Sequence, residues 1–321
     1  MPNPSLLAAR RAIIISTLLL APEISRAAGT NTAFDFLRND VSARPAALAG
    51  SFVSVTNDPT SLFYNPATLG TLDQPTGSVG FFKHLLDINS GYVAYGQSFE
   101  DIGWFGAGIT FTNYGTFTEM DDLGNASGNT FSASDLLLTI GYSNLLDVNL
   151  YYGASLKFIY SSIAGYNSTA LAGDLGLFYQ IPDSRVTIGA SIKNIGAQLS
   201  TYDGVQENLP LDLTIGGSVV PKGLPLLLNV NFHRLNDAAD SFGDRLAGFT
   251  VGGEFTLSKT IQLRFGYDNA RRQDLKIGSS AGLAGFSAGL GISVKDYRFD
   301  YAISSLGKIG ELHRISISST F

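Results

Sequence analysis

The chain has 321 residues, and only 15% of them are charged, against about 25% in ordinary soluble proteins. Its formal net charge of -6 at pH 7 argues against a nucleic-acid partner, which requires a basic surface. The sequence contains no cysteine, which excludes disulfides, thiolate metal sites and the lipid-attachment cysteine of a bacterial lipoprotein.

Residues 1–27 predict a secretory signal peptide. Arg10 and Arg11 precede an apolar run over residues 12–21, and the small residues Ser25 and Ala27 indicate cleavage after Ala27. A membrane anchor is the alternative, but the run is about half the ~20 residues that a spanning helix needs. No other segment is long and apolar enough to span as a helix, so a membrane location requires strands.

Residues 28–76 do not alternate and predict small helical turns and loops. Asn57 or Asp58 can cap a turn that has Pro59 at its first position, and the pair Asn65-Pro66 ends it. A disordered periplasmic leader is the alternative. It is disfavoured because Phe52, Val53, Leu62, Phe63 and Tyr64 make the segment too apolar.

From residue 77 onward, apolar and polar side chains alternate with the period of two of an extended strand. In the stretch YRFDYAISS, Tyr297, Phe299 and Tyr301 share one face, and Arg298 and Asp300 share the other. The pattern predicts fourteen strands: Gly77 to His84, Ser90 to Phe99, Gly103 to Thr112, Phe131 to Ser143, Val148 to Tyr160, Thr169 to Gln180, Arg185 to Asn194, Pro210 to Val220, Leu226 to Leu235, Arg245 to Leu257, Thr260 to Asp268, Leu283 to Val294, Tyr297 to Ser304 and Glu311 to Phe321.

The lengths of the connections choose between a soluble sandwich and a membrane barrel. Short connections such as EDI, SK and KD alternate along the chain with long ones such as NARRQDLKIGSSAG. Outer-membrane barrels have short periplasmic turns and long extracellular loops. The sequence therefore predicts an all-β, 14-stranded antiparallel up-and-down transmembrane β-barrel over residues 77–321, with both of its ends in the periplasm. A lumen of this width needs a filling, so residues 28–76 are predicted to be a plug.

The two faces of the predicted strands agree with a barrel. One face carries apolar residues such as Leu156, Ile188 and Phe265, which are expected to meet lipid. The other carries charges of both signs, which are expected to pair in the lumen: Lys157, Asp174, Lys193, Glu254, Arg264, Arg298, Asp300 and Arg314.

The last residue, Phe321, lies in phase with Ile315 and Ile317 on the apolar face of the last strand. An aromatic residue at this position is typical of outer-membrane barrels, so Phe321 is predicted to be an insertion signal for the barrel insertion machinery.

The stretch ARPAALAGSFVSVTNDPTSLFYNPATLG resembles the N-terminal signature of the PorV/PorQ family, which is related to the FadL-type fatty-acid channels. The stretches GAGITFTNYGTFTEMDDLGN and ELHRISIS are similar to the PorQ branch of that family. The resemblance implies a FadL-like barrel with Arg44, Asn65 and Pro66 in the plug motif. It also implies an outer-membrane component of the type IX secretion system, with PorZ-, PorV- and PorU-like partners.

No residue pattern indicates catalysis or a cofactor. His84, His233 and His313 lie on separate predicted strands, the serines lack a G-x-S-x-G turn, and the predicted lumen carboxylates alternate with cations. We therefore expect a protein that is not an enzyme and has no cofactor or metal. Arg271 and Arg272 in a long loop are candidates for contact with a surface partner, and a merely solvated loop is the alternative.

Two functions are compatible with the sequence: a structural anchor and a transport channel. The charged lumen and the PorV/PorQ resemblance favour a non-catalytic anchor of the type IX attachment complex that holds a PorZ-like partner at the surface. The alternative is a FadL-like channel that takes up hydrophobic small molecules across the outer membrane, which needs an apolar pocket reached through a kinked strand.

Overall fold

A computed structural model describes residues 32–121, 123–239, 241–276 and 282–321. In these ranges, fourteen strands pair with their neighbours in chain order, and β1 pairs with β14 to close the barrel. The predicted all-β, 14-stranded antiparallel fold is thereby confirmed. No helix in the described ranges is long and apolar enough to cross a membrane. The predicted signal peptide, residues 1–27, lies outside the described residues.

The strands have the following bounds: β1 Thr76–Lys83, β2 Asn89–Phe99, β3 Gly103–Met120, β4 Ala126–Asp147, β5 Leu150–Ile163, β6 Tyr166–Gln180, β7 Val186–Ser200, β8 Asp212–Val219, β9 Leu226–Phe232, β10 Phe249–Thr256, β11 Ile261–Asp268, β12 Phe286–Val294, β13 Tyr297–Ser305 and β14 Glu311–Thr320. The closing ladder runs from Thr76 opposite Thr320 to Lys83 opposite His313. The sheet therefore has no edge strand, as a spanning sheet requires.

Exposure alternates along the strands in the sense that the sequence predicts. On β5, the apolar Leu156 and Phe158 are exposed, whereas the cationic Lys157 between them is buried. On β11, Phe265 is 60% exposed and its neighbour Arg264 is 1% exposed. Charged residues are normally the exposed ones in soluble proteins. The inverted pattern fits a barrel whose outer face meets lipid and whose inner face is polar.

The connections differ in length between the two ends of the barrel. At one end, which we call the short-connection end, the longest connection is 220–225. The other end, the long-connection end, carries the segments 201–211, 233–248 and 269–285. Because the strand number is even, β1 begins and β14 ends at the short-connection end.

The largest difference from the predicted strands is in β3 and β4. The sequence pattern placed a long loop between Thr112 and Phe131, but β3 continues to Met120 and β4 begins at Ala126. The rings of Phe117 and Phe131 stack across this extension with their centroids 5.3 Å apart. Aromatic cross-strand pairs of this kind stabilise a hairpin, so the predicted loop is strand for most of its length.

The predicted start of β10 at Arg245 is wrong. Arg245 lies in a short helix, α2 (Phe242–Leu246), and β10 begins at Phe249. The Ser241 hydroxyl accepts a hydrogen bond from the Asp244 amide at 3.1 Å, which caps the helix. A second short helix, α3 (Asn269–Asp274), follows β11.

The segment before the barrel consists of short helices: the 3-10 helices Asp35–Arg38, Pro59–Phe63 and Pro66–Thr71, and the α-helix α1, Ala43–Ala47. Asp58, rather than Asn57, caps the second 3-10 helix, since its side chain accepts from the Thr60 amide. The pair Asn65-Pro66 does more than end this turn, because Asn65 caps the next 3-10 helix through the Ala67 amide.

Candidate functional site

The N-terminal segment, residues 33–72, lies inside the barrel. Leu48, Phe52 and Leu62 in this segment have no exposed surface. Phe52 belongs to one apolar cluster with inward-facing wall residues such as Ile159 of β5 and Ala170 of β6. The segment therefore takes up the lumen space that lies between opposite walls.

Asn65 of the predicted plug motif joins the segment to β6. Its amide nitrogen donates to the Val53 carbonyl at 2.7 Å and to the Leu177 carbonyl at 3.0 Å, and its amide oxygen accepts from Ala67. Asn65 has no exposed surface, so both ends of its amide group are satisfied within the protein. Pro66 follows at the first position of the 3-10 helix, where a missing N–H costs nothing.

Inward-facing glycines allow this close approach. A Cβ on Gly176 would lie 3.0 Å from the Ala67 nitrogen and would collide with the Asn65 side chain. A Cβ on Gly153 would meet the backbone of Pro66 and Ala67, and one on Gly189 would meet the Val53 carbonyl. Among the described residues, ten wall glycines have a Cβ direction that points at the segment: Gly96, Gly106, Gly108, Gly141, Gly153, Gly176, Gly189, Gly252, Gly266 and Gly289.

On the opposite wall, the segment is held by charge. Arg44 makes two hydrogen bonds to the Glu254 carboxylate, at 2.8 and 3.0 Å, and one to Asp58 at 3.2 Å. Arg298 donates to the same Asp58 oxygen at 2.7 Å. Thus Arg44 of α1 pairs with Glu254 of the wall, and the helix cap Asp58 pairs with Arg298 of the wall.

The wall completes these contacts into a closed ring of ion pairs. Arg298 donates to Asp300 at 2.8 Å, Arg264 donates to the other Asp300 oxygen at 2.6 Å, and Arg264 also donates to Glu254 at 2.6 Å. We call this set the six-charge ring, which contains Arg44, Asp58, Arg298, Asp300, Arg264 and Glu254. Its three cations and three carboxylates compensate one another.

Burial and charge act in opposite directions on Asp58. Burial alone would raise its pKa, but the neighbouring Arg298 and Arg44 outweigh burial and hold the pKa of Asp58 below its ordinary value. Hydrogen bonds from the Thr60 amide and hydroxyl act in the same direction as the arginines. Asp58 is therefore ionised at neutral pH.

The remaining predicted lumen residues lie outside the ring. Lys157 pairs with Asp174 at 2.7 Å, and Lys193 pairs with Asp212 at 3.2 Å. Arg314 forms no ion pair with any carboxylate of the described residues. It lies over the Phe82 ring at 5.5 Å, and its Nε has no hydrogen-bond partner there. Of the eight predicted residues, four belong to the ring, Lys157 and Asp174 pair with each other, and Lys193 pairs with Asp212. Arg314 instead donates to the Ser304 hydroxyl at 3.4 Å.

A cavity of about 390 Å³ lies between the segment and the long-connection end. This volume is in the range of about 300 to 1,000 Å³ that is usual for small-molecule sites. The apolar part of its lining comes from both the segment and the wall and includes Phe36, Leu37, Val41, Phe63, Leu137 and Leu306. The charged part includes Asp40, Lys193, Asp212 and Arg271. A bound molecule would therefore meet both an apolar surface and a polar one.

The two arginines predicted to contact a partner have different surroundings. Arg271 of α3 lines the cavity, with ion pairs to Asp40 at 3.7 Å and to Asp268 at 3.6 Å. Arg272 donates to the Gly282 carbonyl at 3.1 Å and lies over the Phe286 ring at 5.8 Å.

The barrel wall is irregular beside the cavity. The ladder between β7 and β8 ends at the pair Lys193 and Asp212, although β7 continues to Ser200. Asn194 follows this last pair with a left-handed φ of 62°, and the β6–β7 ladder changes register next to it. The Asn194 side chain accepts from Lys157 at 2.8 Å and donates to the Pro210 carbonyl at 2.9 Å. Side-chain bonds therefore replace the missing backbone ladder at this point.

Phe321, the predicted insertion signal, lies on the outside of the barrel. It is 76% exposed, and its ring is 6.4 Å from that of Tyr95 on β2. Its amide donates to the Pro75 carbonyl at 2.9 Å, which ties the last residue to the start of β1.

No protein-family model matches the sequence, and no curated protein matches it. Solved structures do match in fold. The toluene transporter TodX of Pseudomonas putida has a TM-score of 0.61 at 17% sequence identity, over 87% of this chain and 98% of that chain. The toluene transporter TbuX of Ralstonia pickettii gives 0.61 at 15% identity, over 87% and 98%.

A FadL homologue of Pseudomonas aeruginosa has a TM-score of 0.55 at 11% identity, over 88% of this chain and 98% of that chain. At these identities, the comparisons establish a shared fold: the closed 14-stranded barrel of this chain is similar to the barrels of TodX and of the FadL homologue. They give no support to the PorV/PorQ assignment in particular.

Proposed function

We propose that this protein is an outer-membrane channel for small hydrophobic molecules, the alternative function that the sequence left open. The observation that carries the proposal is the cavity between the segment and the wall, which lies beside the end of the β7–β8 ladder. The fold is shared with proteins described as toluene transporters, which supports a transport function over an anchor.

The N-terminal segment acts as the plug in this proposal. It occupies the lumen between the glycine-lined wall and the six-charge ring, so a straight axial path is closed. A hydrophobic molecule would enter the cavity from the long-connection end and leave sideways into the membrane. The gap after Lys193 and Asp212 is the place where the wall lacks backbone pairing, so it is the weakest point next to the cavity.

The orientation in the membrane follows the usual rule for outer-membrane barrels. Long connections face the cell exterior and short ones face the periplasm. This rule puts the beginning of β1 and the end of β14 at the periplasmic side. The exposed Phe321 then lies at the periplasmic side of the closing strand, where it serves as the insertion signal.

Filling the cavity tests the proposal. Thr110 of β3 lines the cavity, and Thr110→Trp would occupy it with an aromatic ring. We expect uptake of labelled toluene and of labelled fatty acid by cells that produce the variant to fall to the level of cells without the protein. Ile109→Trp is the matched control, because Ile109 is the adjacent outward-facing residue, 47% exposed.

Uptake that is equal in wild-type cells and in cells without the gene, for every hydrophobic compound tested, would contradict the channel function. Loss of uptake in both tryptophan variants would show instead that any tryptophan in β3 impairs assembly.

The wall gap is tested through Asn194. Asn194→Gly keeps a residue that tolerates positive φ but removes the side-chain bonds to Lys157 and Pro210. We expect faster passage of the hydrophobic probe because the gap is held less tightly. Asn149→Gly is the control, since Asn149 has the same φ of 62° but lies in the β4–β5 turn. Equal passage rates in the two variants would exclude the gap as the exit.

The secretion-anchor function, with PorZ-, PorV- and PorU-like partners, stays a prediction from the resemblance. Co-purification of surface proteins with the intact barrel is the measurement that would support it.

A further inference from the structure

A second concave site lies on the outer face of the barrel, away from the lumen. It is a slot of about 670 Å³ across β2, β3, β4 and β5. Its lining is almost entirely apolar and includes Tyr95, Phe99, Phe105, Ala107, Tyr142 and Ala154.

Small outward-facing residues between large ones create the slot. Ala107 of β3 stands opposite Tyr95 of β2 and Ile140 of β4, and Ala154 of β5 stands opposite Tyr142. Cross-strand neighbours are about 4.5 to 5.5 Å apart at their Cβ atoms. An alanine between two large side chains at this spacing leaves a depression in the surface.

An aromatic ridge borders the slot on the side of the short-connection end. The rings of Phe99 and Phe105 are 5.5 Å apart, those of Phe105 and Tyr142 are 5.1 Å apart, and those of Tyr142 and Tyr152 are 6.2 Å apart. Aromatic residues of this kind form the girdles of outer-membrane barrels at the membrane interface. The ridge therefore places this border of the slot at the boundary between hydrocarbon and headgroups.

The polar groups at this border already have partners. The Tyr142 hydroxyl donates to the Ile102 carbonyl at 2.7 Å, and the Tyr95 hydroxyl donates to the Gln97 side-chain oxygen at 2.5 Å. Few unsatisfied hydrogen-bonding groups are therefore left here for a protein partner. An apolar chain can bind without hydrogen bonds.

The slot extends across four neighbouring strands. At about 4.8 Å between strands, it covers about 14 Å of the barrel wall around its circumference. Exposed apolar residues surround the slot, among them Val93, Ile109, Leu138 and Phe158. Lipid chains therefore have direct access to it from the membrane.

We infer that this slot is a binding site for one acyl chain of a membrane phospholipid, whose polar end lies at the aromatic ridge. The site is separate from the cavity in the lumen and does not depend on the transport function. It makes the β2–β5 wall a place where a lipid is retained rather than exchanged freely.

The test uses the full-length barrel reconstituted in palmitoyl-oleoyl phosphatidylethanolamine, extracted in detergent and examined by native mass spectrometry. We expect the wild-type protein to retain one phospholipid. Ala107→Trp fills the slot and should lose it. Ala288→Trp is the matched control, since Ala288 faces outward on β12 between Phe265 and Ile303, and it should keep the lipid.

Assembly of each variant is checked by heat-modifiable mobility on gels. If Ala107→Trp does not assemble, Ala154→Phe fills the other depression of the slot and replaces it in the comparison. Three results would overturn the inference: no lipid retained by the wild type, equal retention by the slot variants and the control, or a wild-type dimer that the slot variants dissociate. The last result would identify a second copy of the chain as the occupant.

Discussion

The two halves of the barrel hold the same N-terminal segment by different means. The wall from β5 to β7 presents glycines and backbone carbonyls, as at Gly176 and Leu177. The wall from β10 to β13 presents ionised groups, as at Glu254 and Arg298. In the first half, glycines let the backbone of the segment approach the wall closely. In the second, glycines such as Gly252 and Gly266 also lie against the segment, and ion pairs are added to this contact.

This difference determines what each half tolerates. A glycine contact is independent of pH and salt, but it accepts no added atom because the space is already occupied. An ion-pair contact accepts some change of shape, but it leaves an uncompensated buried charge when one partner is neutralised, which costs several kcal/mol. Substitutions in the two halves should therefore fail for different physical reasons.

The largest effect is expected for Gly176→Val. Its side chain would occupy the position of the Asn65 amide and collide with the Ala67 backbone, so the segment could not dock against β6. We expect the variant to lose most of the folded, heat-modifiable barrel in the outer membrane.

Gly253→Val is the control for this change, because a Cβ there would meet only Leu226 and Leu228 at 3.7 Å, an ordinary contact distance. Normal assembly of Gly176→Val would show that the segment can dock without the glycine contact.

The second effect is expected for Asp58→Asn in the six-charge ring. Asparagine keeps the shape and the cap to Thr60 but leaves Arg44 and Arg298 short of one negative charge. Breaking a buried pair in this way costs about 3 to 5 kcal/mol. The midpoint of urea unfolding, followed by loss of heat-modifiable mobility, should fall accordingly.

Asp121→Asn serves as the control for charge removal, because Asp121 is exposed in the β3–β4 turn and pairs with no arginine of the described residues. An Asp58→Asn midpoint equal to that of the control would mean that the ring does not stabilise the segment.

Period and spacing were sufficient to predict the barrel. Strict alternation at positions such as Tyr297 to Tyr301 is a local property of a strand, so fourteen strands and their lumen faces could be identified without any knowledge of contacts. The ends of the strands were harder to predict, because β3 and β4 continue beyond the apolar band into Thr- and Ser-rich sequence. There, cross-strand pairing rather than hydrophobic alternation stabilises the strand, as Phe117 and Phe131 illustrate.

The pairing inside the lumen could be predicted only in part. Both signs of charge on the inner face indicate compensation, and Glu254, Arg264, Arg298 and Asp300 do pair. Asp58 was considered only as a helix cap, because nothing in its local sequence shows that Arg298, far along the chain, lies next to it. Asp212 could have been found, since it alternates in phase with Thr214 on a predicted strand.

The inward glycines carried a signal that local patterns do not explain. Glycine weakens a strand, yet it recurs in this barrel at inward positions on strand after strand, as at Gly141, Gly153 and Gly176. A recurrent glycine inside a strand indicates close approach of another backbone. The identity of that backbone, which is Pro66 and Ala67 at Gly153 and Ala67 at Gly176, depends on the three-dimensional fold and could not be read from the sequence.

The third prediction concerns the pH dependence of stability. Changes in the ion-pair half of the barrel should depend on pH, and changes in the glycine-lined half should not. The pKa of Asp58 is lower in the folded protein than the value of about 3.9 expected in an unfolded chain. The stabilisation is therefore fully present above about pH 4 and is lost as the pH falls through the folded-state pKa. The urea midpoints of wild type and Asp58→Asn should differ by a constant amount between pH 8 and 5 and converge only below pH 4.

Gly176→Ala, a milder change in the glycine-lined half, provides the contrast. Its difference from wild type should not change with pH, because no ionised group takes part in the contact. Convergence of wild type and Asp58→Asn already between pH 7 and 5 would contradict a lowered pKa for Asp58.

The smallest effect is expected for Arg44→Lys, which keeps the charge but changes its geometry. Arg44 reaches both oxygens of Glu254 and also Asp58, and a lysine ammonium is a single point charge that cannot reproduce this planar fork. We expect a loss of about 1 kcal/mol, near the net value of one hydrogen bond, again measured as the urea midpoint. Arg185→Lys at an exposed position should leave the midpoint unchanged. A loss for Arg44→Lys as large as that for Asp58→Asn would mean that bidentate geometry, rather than charge balance, is what the β10–β13 half contributes.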